Sequence, residues 1–149
     1  MNIRHWLCAP IAVVLASAAA ADSIQLDPFA QATSGIASCP AVQPRVYTNE
    51  EAGTLAHARS ERGTRCAMEG TCEPGGAYRR DPEINEAVRA AIALEKRFAD
   101  TSVWITTSRR WVTLEGCVRT KAQRAKLAKF VARQPRVERV FDALTVLSK

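Results

Sequence analysis

Histidine is scarce in this chain. There are two in 149 residues, His5 and His57. No H-E-x-x-H or C-x-x-C pattern occurs, so the common routes to a zinc site are closed. No G-x-S-x-G elbow, phosphate loop or dinucleotide fingerprint occurs either. These gaps argue against the familiar hydrolase, nucleotidase and dehydrogenase designs. The sequence gives no cofactor or metal site and no catalytic set. Beyond the first residues no apolar run is long enough to cross a bilayer. Internal repeats and low-complexity tracts are also missing.

The N-terminus has the layout of an export signal. Arg4 and His5 supply a positive start, and Leu7 to Ala16 form an apolar stretch too short for a stable span. Ala19-Ala20-Ala21 then offers a small-residue cleavage site, with Asp22 as the first mature residue. Cys8 precedes the apolar run and follows bulky residues, so a lipid-attachment box does not fit. Loss of residues 1–21 removes Arg4 alone among the charged side chains. The mature chain then carries 20 basic and 15 acidic residues, a net charge of +5. It keeps four cysteines, Cys39, Cys66, Cys72 and Cys117, an even number that suits disulfides in an oxidising compartment. The expected location is the periplasm, and the expected association with membranes is peripheral at most. Export also removes nucleic acid as a partner for the basic charge.

Residues 22–80 read as an irregular extension with one helix. Pro28, Pro40 and Pro44 interrupt the start. Thr48 and Glu51 have capping-box spacing, and Gly63 suits a helix stop, which predicts a helix near 48–63. From residue 81 the periodicity sharpens. Asp81 and Pro82 suit an N-cap and first turn, with Ile84, Val88, Ala91, Ile92 and Leu94 at helical spacing. Val103 to Thr107 and Trp111 to Val118 alternate as strands around a turn at Ser108-Arg109-Arg110. A helix follows from about Lys121 to Gln134, stopped by Pro135, with Leu127, Phe130 and Val131 inward. Val137 to Val146 is a third strand. The order predicts an α+β fold, a two-layer αββαβ sandwich with a three-stranded mixed sheet.

The segment Val112-Thr113-Leu114-Glu115-Gly116-Cys117-Val118 resembles the "V-T-L-x-G-x-V" strand of the BON domain. That family is named for bacterial osmotically inducible periplasmic and nodulation proteins. Arg124, Ala128 and Val131 continue the likeness, and Val137 to Val146 is similar to its final strand. The resemblance covers 81–147. Arg136 and Asp142 stand where the family usually has Gly and Asn, and Arg109-Arg110 replaces its Asp-Gly turn. The resemblance implies an envelope module without catalytic residues that binds phospholipid surfaces or partner proteins.

Strand alternation sends Val103, Ile105, Val112, Leu114, Val118, Val140, Leu144 and Val146 toward the helices. Trp104, Trp111, Phe141 and Cys117 then share the other face, with Thr106, Thr113, Ala143 and Thr145. So much aromatic surface calls for a cover or a partner. We expect residues 48–78 to fold back over it, with Cys117 bonded to one of the three upstream cysteines and the other two paired. The alternative leaves the face open as a binding surface for protein or lipid. Lys126, Lys129 and Arg133 form a helix stripe, and Lys121, Arg109 and Arg110 are near in sequence. Together they make a candidate patch for anionic phospholipid.

Overall fold

The computed structural model describes residues 23–147. The proposed signal segment lies outside the described residues. A strand β1, Phe29–Ser34, opens the fold, followed by a helix α1, Asn49–Met68. Helix α2 spans Asp81–Leu94, and a short 3₁₀ turn covers Lys96–Phe98. Strands β2, Ser102–Ser108, and β3, Trp111–Val118, form a hairpin. Helix α3, Lys121–Val131, leads to β4, Arg139–Val146.

The sheet has four strands in the order β1-β2-β3-β4, not the three expected. The antiparallel β2–β3 pair and the parallel β3–β4 pair make the anticipated mixed unit. The additional strand comes from the region expected to be irregular. Phe29-Ala-Gln-Ala-Thr-Ser34 has only alanines to offer the core, so its alternation is faint. Its backbone nonetheless pairs antiparallel with β2, with a register shift between Gln31 and Thr33.

Both helices lie on one face, α2 over β1 and β2, α3 over β3 and β4. Ile84, Val88 and Ile92 of α2 and Leu127 and Val131 of α3 meet Val103, Ile105, Val112, Leu114, Val118 and Leu144. Ala32 joins this core from β1, and Val140 and Val146 pack at its margin. Each large aliphatic side chain so buried contributes about 1.5–3 kcal/mol. Leu94, two residues beyond Ile92, points about 200° around the helix from it, off the buried stripe, and is exposed.

Buried polar side chains fasten the first strand region to the rest. Asn85 on α2 donates to the Pro28 carbonyl and to Thr107 Oγ1, both at 3.0 Å. Thr33 and Thr101 share a hydroxyl contact of 2.8 Å. Among the described residues no buried side-chain nitrogen or oxygen lacks a partner, as interiors of low polarity require.

Three boundaries differ from the sequence expectation. Helix α1 runs five residues beyond Gly63 to Met68. Its capping box is present: Glu51 N–H donates to Thr48 Oγ1, and Thr48 N–H donates to Glu51 Oε2. Gly63 is no stop; it lets the helix approach Gly76, whose Cα would lie 3.2 Å from an added Cβ. Helix α3 ends at Val131, and Arg133 and Gln134 continue in tight turns bonded to Phe130 and Val131. Asp81 is not the N-cap of α2. That position is Arg80, and Asp81 is a buried first-turn residue whose carboxylate reaches the β2–β3 turn instead.

Candidate functional site

The β2–β3 turn shows how local sequence shapes the surface. Arg109 and Arg110 both have left-handed φ, 56° and 65°. This is the backbone of a type I′ turn, normally given to Asn-Gly or Asp-Gly. Non-glycine residues there cost about 1–2 kcal/mol each. Asp81 holds the turn: its two carboxylate oxygens accept the N–H groups of Arg109 and Arg110, each at 2.8 Å. Burial pushes the Asp81 carboxyl above its ordinary value, against the opposing pull of these two donors. Arg136 also has a left-handed φ of 66°. Two of the three departures from the BON pattern therefore keep the backbone that the family's glycines allow.

The six basic residues read as one patch separate into different environments. Lys121, Lys126 and Lys129 are exposed on α3, and Arg133 is exposed in the turn after it. None of the four has a carboxylate partner among the described residues. Arg110 does not belong with them: it pairs with Glu138 at 2.9 Å and donates to the Arg136 carbonyl. It joins a cluster at the start of α2, where Arg80 bonds Glu73 and Glu83, and Arg136 bonds Glu83. The Arg80 guanidinium holds Glu73 and Glu83 below the usual carboxylate range. Arg109 lies on the opposite side of the sheet from α3, its guanidinium 4.5 Å from the Trp111 ring centre.

The aromatic face is neither fully covered nor fully open. Trp104 is 8% exposed, so it is an interior side chain on the covered part of the face. Cys117 bonds Cys39, and Cys66 bonds Cys72. The Ile36 N–H donates to Ser102 Oγ, which in turn donates to the Ile36 carbonyl. The segment that closes over the Trp104 end is therefore around residues 35–39, upstream of the 48–78 stretch expected to do so. The reason is apolar content: Ile36 is buried, whereas α1 buries only Ala52 and Gly63. Toward β4 the face opens. Trp111 packs edge-on to Phe141 and has Arg109 and Arg139 against its ring. Phe141 is 43% exposed, and Ala143 and Thr145 beside it are exposed.

Sequence reading missed the arginines of the extension. Arg45, Arg59 and Arg62 line a cleft with Arg109, Trp111 and Phe141. Their charge was visible, but nothing in their spacing indicated convergence on the sheet. Among the described residues no three His, Cys, Asp or Glu side chains gather as a metal site would require.

Residues 80–148 match the family model of the BON domain. The C-terminal half of the chain is a BON domain. BON domains are in general envelope-associated, phospholipid-binding and non-catalytic. No curated protein and no solved structure matches the chain significantly. The BON segment begins beside Asp81 and takes in both helices of the sandwich, while β1, α1 and three of the four bonded cysteines precede it. Among the described residues no helix is long and apolar enough to cross a membrane.

Proposed function

We propose that this protein is an exported, non-catalytic envelope module, resident in the periplasm, that docks on anionic phospholipid through the outer side of α3. The observation that carries this reading is the set Lys121, Lys126, Lys129 and Arg133, exposed and without carboxylate partners among the described residues. Each cation brought to an anionic bilayer contributes about 1 kcal/mol, so the set gives weak, salt-sensitive adhesion. Arg109 and Arg110 are left out of this surface because of where their side chains lie. The test is sedimentation with phosphatidylglycerol-containing and purely phosphatidylcholine vesicles. Binding is expected to the anionic vesicles alone, to fade with added salt, and to be lost in a Lys126→Gln/Lys129→Gln/Arg133→Gln variant. Equal binding to both vesicle types, or an unaffected variant, refutes the reading.

The exposed Phe141 strip supports a second reading, a subunit whose open β4 face meets an envelope protein. In that case a co-purifying partner is lost on Phe141→Ala but retained in the α3 variant.

A further inference from the structure

On the sheet face away from α2 and α3, the extension leaves a cleft of about 310 Å³. That is the lower end of the range for small-ligand sites. Its charge is one-sided. Arg45, Arg59, Arg62 and Arg109 line it, against the single carboxylate of Asp27. Asp27 is already engaged by Arg59 at 2.6 Å. Arg45, Arg62 and Arg109 have no carboxylate partner among the described residues. They come from three separate parts of the chain: the loop before α1, α1 itself, and the β2–β3 turn.

The guanidinium groups are also held in place. Arg45 lies 5.0 Å from the Tyr47 ring centre, and Arg109 lies 4.5 Å from that of Trp111. Arg62 Nε donates to the Ala58 carbonyl at 3.1 Å. A guanidinium resting on a ring keeps its N–H edge free for in-plane acceptors, and little side-chain freedom is left to lose on binding. Arg109 adds an independent sign. It keeps a left-handed φ that glycine or asparagine would adopt at less cost, and the buried Asp81 is committed to holding it. Local strain maintained in this way is a recurrent mark of binding sites.

We propose that this cleft binds a soluble ligand carrying a diphosphate or longer polyphosphate group. A flat carboxylate satisfies one guanidinium fork. Linked phosphates present oxygens in several directions and carry charge comparable to that of three unpaired arginines. A bilayer-bound headgroup fits less well. Glu50 and Glu51 border the adjoining hollow beside Arg45 and Tyr47, so the positive surface is confined to the cleft and does not extend into the broad cationic face that a bilayer would need. The site is separate from α3, so vesicle docking and ligand binding can fail independently.

Isothermal titration of the protein with inorganic pyrophosphate and tripolyphosphate, at about 0.15 M salt, tests the proposal. Saturable binding is expected. Arg109→Gly, which suits the turn backbone and removes the guanidinium, should weaken it about tenfold, as loss of a charged hydrogen bond implies. Arg62→Gln, on an exposed helix position, should weaken it in the same direction. Lys126→Gln/Lys129→Gln should leave it unchanged, and phosphatidylglycerol vesicles should not displace pyrophosphate. Absence of saturable binding, full retention in both arginine variants, equal loss in the α3 variant, or displacement by vesicles overturns the proposal.

Discussion

Removing the Cys39–Cys117 bridge by paired Cys→Ala substitution should have a large effect on stability. The two residues are 78 positions apart, and the bond closes a loop that includes α1, α2, β2 and most of β3. Restricting an unfolded loop of that length contributes about 4.5 kcal/mol in the chain-entropy treatment. The Cys66–Cys72 bridge closes a loop of separation 6, for which the same treatment gives about 2 kcal/mol. Location widens the difference. Cys117 is buried on the sheet, whereas Cys66 and Cys72 lie at the end of α1, which buries only Ala52 and Gly63. A segment with so few buried contacts opens ahead of the core, and a crosslink inside it adds little to global stability. Urea unfolding of the two paired variants, followed by tryptophan fluorescence, measures both values. The Cys39/Cys117 variant should lose about twice as much stability as the Cys66/Cys72 variant, or more. Equal losses, or the reverse order, would refute the reasoning.

Two further substitutions bear on the turn and the sheet. Asp81→Asn removes one acceptor from the Arg109–Arg110 turn and should cost about 1 kcal/mol at neutral pH, once relief of the buried charge is counted. Burial raises the folded pKa of Asp81 above its ordinary 3.8, so its contribution is full below that value and is lost as pH rises through the folded pKa. The gap between wild type and Asp81→Asn should therefore widen as pH is lowered from neutral; a narrowing gap in pH-dependent thermal unfolding would contradict this. Gly116→Ala places a Cβ 2.2 Å from the Ser102 carbonyl oxygen at a φ of 110°, and should cost at least about 3 kcal/mol in chemical denaturation. An alanine variant of near wild-type stability would show that β2 and β3 are not in this register.

The helix and strand order of the BON segment was legible because its apolar residues repeat at the period of each element. Val88, Ile92, Val112 and Leu114 follow that rule and are all buried. Strand β1 was not legible, because two alanines are a faint inward signal and its partner residues are 68 to 77 positions away in sequence. Gly63 was misread for a related reason. A glycine that permits close approach cannot be told from a helix stop until Gly76 is seen against it. Asp81 has the residue type and position of a cap, but two amides from a distant turn compete for it and win. The candidate lipid surface on α3 was visible as a stripe, since it depends on helical spacing alone. The arginine cleft depends on three segments meeting, which local pattern does not encode.

Strand β1 has an effect on solubility that follows from its position. Val103, Trp104 and Ile105 lie at the centre of β2, and β1 occupies their outer hydrogen-bonding side. A fragment beginning at residue 80 would present that side as a row of vacant amides on an apolar, β-branched strand, the kind of border that recruits a second chain. The upstream segment thus acts as a built-in selvedge, and its removal should leave a sheet that self-associates.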